Sequence, residues 1–430
     1  MKKSLLIASL FAAGVSAQAQ TTFELNYFKQ VVADAEGGNV VVSPLSAGML
    51  AGMIANGADG TTLQEMLDVF GESSLQDLNS SLNHSIEYFR SIPNNGTKVD
   101  LHNALWMDDA LNLKPAFVQN MNESFYAEMN SLDFSVSDAL SDINQWVLDN
   151  TQGYIPELLN YLDPSTRLVM VNTVFAKSSW DSGFDLSDGE SIFHNYKGAN
   201  EMVQMMTQLQ SVGYYKNSVY MFELIKVKFE DILEIVFISP IDNLDIKSFV
   251  SQMSPTMLQN GLSHMNSELA YLTMPPFDHS TKVDMKKVLK EMGMTEAFGG
   301  NANFSQLSDC EDAMIQTAMQ KSVITLNEDG IIAASASEGD WVVTDPGDGG
   351  EPEIKHLLLN HPFAYLIRDK VTNSTLFMGT VASFNETGHT SIESVHAAAP
   401  INQRTYNLQG MPTGEHSGLV IEGGKIKFYR

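Results

Sequence analysis

From Thr22 to Ala35 the apolar side chains Phe23, Tyr27, Val31 and Val32 recur at helical spacing, which predicts one amphipathic helix closed by Gly37-Gly38. Asn39-Val40-Val41-Val42 reads as a short buried strand. Ser43-Pro44 then opens a second helix, with Ser as cap and Pro at the first helical position, running through Leu50 and Ile54 to a stop at Asn56-Gly57. A third helix begins near Thr61-Thr62, with Leu63, Met66, Leu67 and Phe70 as its apolar stripe. Strand-like runs follow at Leu168 to Phe175, Ile232 to Ile238, Ser322 to Leu326 and Leu376 to Val381, and a helical segment spans Met285 to Met292 before Gly293. Helices and strands interleave without a βαβ period or an internal repeat, so the fold class is α+β. No Pro/Gly/Ser linker divides residues 22 to 384, which read as one large domain.

Two stretches break this pattern. Ile331 to Glu353 is long and polar in its second half, and a loop of that length in a compact domain is functional or disordered. From Asn385 onward the chain continues as a tail containing Tyr406-Asn407-Leu408-Gln409-Gly410 and Gly418 to Tyr429. At the other end, Lys2 and Lys3, an apolar stretch from Leu5 to Val15 and the small-x-small triplet Ala17-Gln18-Ala19 spell a secretory signal peptide over residues 1–19. Its apolar run is too short to span a bilayer, and no later segment reaches the ~20 apolar residues a spanning helix needs. No Cys follows the run, which argues against a lipid anchor there. The expectation is an exported protein, secreted, held at the cell surface or periplasmic, with no membrane insertion.

Charge and chemistry narrow the function. With 52 acidic residues against 25 basic ones, the net charge of -27 repels phosphate backbones and anionic headgroups, so nucleic acid is not an expected partner. Solubility alone accounts for the acidity equally well. The single cysteine, Cys310, excludes an intramolecular disulfide, and no basic neighbour activates it as a nucleophile. There is no G-x-S-x-G, H-E-x-x-H, C-x-x-C or Walker A sequence. His84, His102, His194 and His264 lack metal-ligand spacing, so neither a metal site nor a cofactor is expected. The 23 methionines sit mostly at apolar positions and read as core filler. An enzyme is not suggested.

The long loop has a physical reading of its own. Alternate residues of a strand point to opposite faces. One face of the loop carries Ile331, Ala333, Ser335, Ser337, Gly339, Trp341 and Val343, without charge; the other carries Ile332, Ala334, Ala336, Glu338, Asp340, Val342 and Thr344, with both charges together. No Pro interrupts the run, so the segment can join a ladder, its small residues sliding between existing strands with the neutral face inward. A small-residue surface loop satisfies the same pattern.

Short motifs in order then carry a resemblance. Asn39 to Ser46, Gly57-Ala58-Asp59-Gly60-Thr61-Thr62, Asn103-Ala104-Leu105-Trp106, Ile143-Asn144-Gln145-Trp146-Val147 and Thr166 to Trp180 are followed by Met205-Met206, Gly293-Met294 to Ala297-Phe298, Ala302-Asn303-Phe304-Ser305, His361-Pro362-Phe363 and Leu376 to Val381. Together these resemble the serpin family over nearly all of residues 22 to 384, within a domain placed at 20–384. The resemblance implies three β-sheets, eight or nine helices and an exposed reactive loop at about 330–355. It also implies inhibition of a serine or cysteine protease: the target cleaves the loop and forms an acyl-enzyme, and the cut loop inserts into the central sheet.

Glu328-Asp329-Gly330 resembles the family's hinge start, and Ala333, Ala334, Ser335, Ala336 and Ser337 match its small-residue run. Ile331 and Ile332 depart from the usual Thr or Ser followed by Glu, which implies slower entry into the sheet rather than none. Gln320 stands where many serpins have His, with Ser43, Ser46 and Asn172 matching the polar partners there, and Trp180 closing the adjoining motif. Counting from the hinge puts the scissile bond at Thr344-Asp345; counting back from Pro362 puts it nearer Glu351, so the loop carries an insertion of about seven residues. No Lys or Arg lies between Gly330 and Lys355. Trp341, Val342, Val343 and Thr344 would suit elastase-, subtilisin- or papain-like proteases with apolar pockets, met by a monomeric inhibitor. A non-inhibitory binding or chaperone-like protein on the same fold is the alternative, and a secreted hydrolase would need a clustered Ser, His and Asp. The tail, 385–430, resembles short C-terminal segments on secreted proteins of some Gram-negative bacteria, which implies sorting or surface retention.

Overall fold

A computed structural model describes residues 22–93, 96–109, 111–134, 138–163, 166–241, 245–309, 315, 318–331 and 354–385, with strand backbone between 405 and 429. Residues 1–21, Cys310 and the loop residues Ile332 to Glu353, with Ala333 to Ser337 and Trp341 to Asp345 among them, lie outside the described residues. The chain divides into two compact units, Met1–Glu386 and Thr387–Arg430.

The N-terminal elements form where the sequence reading puts them, with shifts of a residue or so at their ends. A helix over 22–34 buries Phe23, Tyr27, Val31 and Val32. The strand Val40–Val42 is wholly buried. Ser43 caps the helix Pro44–Ala55, its Oγ accepting the Ser46 N–H at 3.2 Å. All twelve residues of that helix are buried, so it has no polar face and its neighbours must approach from every side. Gly52 is the contact point: a Cβ there would lie 2.4 Å from Leu82 of the helix Leu75–Ser91. The next helix, Gly60–Phe70, starts one residue before the expected position because Asp59 takes the cap, and it ends at Gly71, whose φ of 71° is left-handed.

Nine α-helices among the described residues pack around two hydrogen-bonded sheets in the first unit, confirming the α+β class and the serpin-like layering. The central sheet has six strands in the order Phe277–Asp284, Met319–Asn327, Gly330–Ile331, Leu168–Ser179, Lys98–Asp108, Glu128–Leu132. One face carries a small cluster with the helix Asp138–Asn150, in which Ala139, Ile143 and Val147 meet Trp106, Val169 and Val171. The other face joins the main core through Met170, Ala176, Ile324 and Leu326.

The second sheet has nine strands and unites two of the expected three. The long strand Asn200–Asn217 pairs with Asp185–His194 over its first part, with Asn266–Met274 over its middle and with Phe222–Lys228 at its end. Its two ladders therefore merge into one network. In the second unit, Pro412–Thr413, Thr405–Tyr406, Gly418–Glu422 and Lys425–Tyr429 form a four-stranded sheet in that order, with antiparallel pairing throughout.

Gly52→Ala overpacks the Leu82 contact, and overpacking a close-fitting core costs about 1–3 kcal/mol. A lowered urea midpoint at unchanged slope is the expected outcome.

Candidate functional site

The region with unusual construction is the upper end of the central sheet, where the chain leaves Met319–Asn327. The Asn327 side-chain carbonyl accepts the N–H groups of Asp329 at 3.0 Å and Gly330 at 3.2 Å, folding the chain back on itself. Gly330 and Ile331 then return antiparallel, with Ile331 opposite Leu326 and Gly330 opposite Asn327. Their other edge is also paired, Gly330 with Ser179 and Ile331 with Ser178. Two residues thus form a complete interior strand.

The fit at Gly330 admits no side chain. Its φ is 142°, and a Cβ would stand 2.2 Å from the Ser178 carbonyl oxygen and 2.8 Å from the Ser179 Cα. Ile331 is 1% exposed and lines a narrow cavity of about 20 Å³ with Val174, Ala176, Val323, Ile324 and Phe377. Among the described residues, Leu168–Ser179 and Met319–Asn327 share no ladder with each other; Gly330–Ile331 is what joins them.

Trp180 holds the turn from the side. Its backbone N–H donates to the Asp329 carbonyl at 3.0 Å, its indole Nε1–H donates to the Asn327 carbonyl at 2.8 Å, and the Phe184 N–H donates to the Glu328 carbonyl at 3.0 Å. Three successive carbonyls are thereby satisfied. The indole stacks on Phe229 at 4.3 Å and leans on Phe184 at 5.0 Å, so it is fixed by packing as well as by its hydrogen bond. Behind the strand, the Ser178 and Thr97 hydroxyls lie 2.6 Å apart, and Thr97 also donates to the Glu230 carbonyl.

Lower in the sheet lies a buried polar cluster. Gln320 donates through Nε2 to the Ser43 carbonyl at 2.7 Å and accepts the Tyr27 hydroxyl on Oε1 at 3.1 Å. Burial pushes the Tyr27 hydroxyl far above its ordinary range, so it remains a donor. The structure brings Ser43, Ser46 and Gln320 together at the start of the Pro44–Ala55 helix. Asn172 turns elsewhere, donating to the Asn103 side-chain carbonyl at 2.7 Å, while Asn103 donates to the Phe125 carbonyl at 2.7 Å. Asn172 Oδ1 and Thr173 Oγ1 are buried without a hydrogen-bond partner.

Sequence reasoning missed Tyr27, Thr97, Asn103, Phe184, Phe229 and Asn327. Only Asn327 carried a signal, since Asn two residues before Asp and three before Gly is a turn-forming pattern. Tyr27 and Gln320 meet across 293 positions, and no local pattern announces such a pair. Among the described residues no group of three or more His, Cys, Asp or Glu side chains is placed to hold a metal ion, and no described helix is long and apolar enough to cross a membrane.

The family described as Serpin (serine protease inhibitor) matches residues 18–384. This chain belongs to the serpin family. Neuroserpin of Homo sapiens is 25% identical over 408 residues, covering 90% of this chain and 97% of its own. Corticosteroid-binding globulin of Oryctolagus cuniculus is 27% identical over 371 residues, covering 85% and 94%. Among solved structures, a thyroxine-binding globulin complex with thyroxine superposes with a TM-score of 0.75 at 24% identity, over 86% of this chain and 99% of that one, a likeness of fold. Serpins are mostly protease inhibitors rather than enzymes, and some are non-inhibitory.

Gly330→Ala forces a Cβ into the Ser178 carbonyl, so the two-residue strand should leave the sheet. The check is hydrogen exchange at Gly330 and Ile331, with faster exchange expected there and little change in Val40–Val42. Gln320→Leu leaves the Tyr27 hydroxyl buried and unpaired, at a cost of about 1–3 kcal/mol for an orphaned buried group, while the Ser43 carbonyl keeps the Ala47 N–H. A corresponding fall in the denaturation midpoint checks it.

Proposed function

We propose that this chain is an exported protease inhibitor that traps its target by inserting a cleaved loop into its own central sheet. The observation that carries the reading is the strand Gly330–Ile331, laddered on both edges at the head of the slot between Leu168–Ser179 and Met319–Asn327. A hinge already seated this way needs only further residues of the same strand to extend it. Ile331 supports the reading in a second way: the departure from the family's small hinge residue is absorbed as a buried apolar plug, so it does not bar the entrance.

In the proposed reaction, the hydroxyl or thiol of the protease attacks the carbonyl carbon of Thr344, or of the residue that stands at the bait position. The peptide C–N bond to Asp345 breaks, the nitrogen takes a proton through the protease's own acid–base group, and Thr344 remains as an ester or thioester on the enzyme. Insertion then carries the acyl-enzyme away from the geometry that would admit water, so hydrolysis stalls. The side chains Trp341, Val342, Val343 and Thr344 direct the loop toward elastase-, subtilisin- or papain-like proteases with apolar pockets. The hinge in this scheme comprises Glu328, Gly330, Ile331 and the run Ala333 to Ser337, while Ser43, Ser46, Asn172, Trp180 and Gln320 govern opening of the sheet. We assign residues 1–19 as an export leader and residues 385–430 as a sorting or surface-retention segment, on a monomeric bacterial inhibitor.

Incubation with elastase, subtilisin and a papain-like enzyme tests this by denaturing gel and mass spectrometry. The expected outcome is a covalent adduct with one of them and a released fragment beginning near Asp345. Ile331→Glu places a charge at a fully buried point of the slot, so it should yield cleaved inhibitor, active protease and at least a tenfold loss of adduct. Loop cleavage without any adduct in the unmutated protein would favour a non-inhibitory binding or chaperone-like role.

A further inference from the structure

A cut anywhere between Ile331 and Ile354 leaves the first unit in two pieces joined by contacts alone. The smaller piece holds the strands Lys355–Leu358, Phe363–Asp369 and Thr375–Val381 and continues into residues 385–430. Its strand Thr375–Val381 ladders on one edge with Phe363–Asp369, which belongs to the same piece. On the other edge it meets Val40–Val42 of the larger piece over only three residue pairs. A strand held by so short a ladder opens from its end at little cost.

The three residues beyond that ladder are held by side chains instead. The Asn39 side-chain carbonyl accepts the N–H groups of Ala382 at 2.6 Å and Ser383 at 3.1 Å, and its Nδ2 donates to the Ser383 carbonyl at 2.7 Å. One side chain thereby carries the Val40–Val42 pairing past its end. The Glu201 carboxylate, 4% exposed, accepts the Ser383 hydroxyl at 2.7 Å on Oε1 and the Phe384 N–H at 2.6 Å on Oε2. The Asn195 amide is its third donor, at 2.7 Å. The Tyr196 N–H donates to the Ala382 carbonyl at 3.0 Å, and the Phe384 ring meets the buried Phe193 edge-on at 4.9 Å. Gly38 admits the close approach, since a Cβ there would lie 2.3 Å from that of Ala382. A carboxylate this deeply buried is stable only while its donors are delivered to it, so residues 382–384 and the turn between Asp185–His194 and Asn200–Asn217 are fixed together. Asn385, next along the chain, is exposed.

Asn39, Phe193, Asn195, Tyr196 and Glu201 all precede the loop in sequence, and the residues they hold all follow it. We infer that Glu201 and Asn39 form a latch across the loop, two positioning residues that keep the C-terminal fragment seated once the loop is cut. In the uncut chain the loop itself ties the two pieces and the latch is redundant. In the cut chain it closes the end from which Thr375–Val381 would peel away. The latch needs a cut loop but no trapped protease, so it goes beyond the trapping reading without depending on it.

The test uses the full chain carrying, after Gly350, an inserted recognition sequence for a sequence-specific protease. Release of the C-terminal fragment from the cut chain is followed by size exclusion at a fixed guanidinium chloride concentration, with the denaturation midpoint of the uncut chain as control. Glu201→Gln sets an amide N–H against donors, so release should be at least tenfold faster while the uncut midpoint stays close to that of the unmutated protein. Ser383→Ala, which removes one donor and leaves the carboxylate, should speed release by less, and the double variant should release no faster than Glu201→Gln alone. Unchanged release in both single variants would overturn the latch. So would an uncut chain destabilised as much as the cut one, because Glu201 would then be an ordinary contact of the fold. Adduct formation is not measured in this experiment, so failure of the latch and failure of trapping are read separately.

Discussion

Everything distinctive about this fold depends on a two-residue strand having partners on both sides. Gly330 and Ile331 occupy an interior position of the central sheet, and interior strands must satisfy both backbone edges. That condition fixes the glycine, because the left-handed φ and the approach to Ser178 leave no room for a Cβ. It also fixes the turn before it, where Asn327 supplies the acceptor that lets Asp329 and Gly330 double back. Trp180 completes the arrangement by satisfying carbonyls that the turn would otherwise expose, with Phe229 and Phe184 holding the indole.

Below the hinge the two flanking strands present different chemistry along their length. The slot walls are apolar near Ile331, where Val174, Ala176 and Ile324 line the narrow cavity, and polar lower down, where Gln320 and Asn172 stand on opposite walls. The two amides face different partners rather than each other, so separating the strands breaks no bond between them. Each ladder hydrogen bond contributes a net ~0.5–1.5 kcal/mol. A full strand of such bonds outweighs the few contacts at the hinge, which makes the uninserted chain a kinetically held state in the proposed mechanism.

Much of this was legible in the sequence, and the limits have physical causes. Ser43-Pro44, the Val40–Val42 run and the 168–175 apolar stretch announced themselves because caps, β-branching and burial are local signals. The strand Asn200–Asn217 did not, since it serves two sheet segments and mixes exposed with buried positions along 18 residues. The helix Leu75–Ser91 was likewise unread: its buried stripe of Leu78, Leu82, Ile86 and Phe89 is interspersed with polar residues. At the site, Gly330 and Gln320 were singled out through the family resemblance. Tyr27, which bonds Gln320, Asn103, which bonds Asn172, and Thr97, which bonds Ser178, come from elements far from those partners along the chain, and only the fold brings them into contact.

The most direct measurement is hydrogen–deuterium exchange along Leu168–Ser179 and Met319–Asn327, before and after a protease cuts the loop. If the slot accepts the loop as an added strand, amides of both flanking strands should exchange at least tenfold more slowly in the cut protein. Unchanged exchange in a fully cut loop would contradict the account, because no strand would then have entered between them.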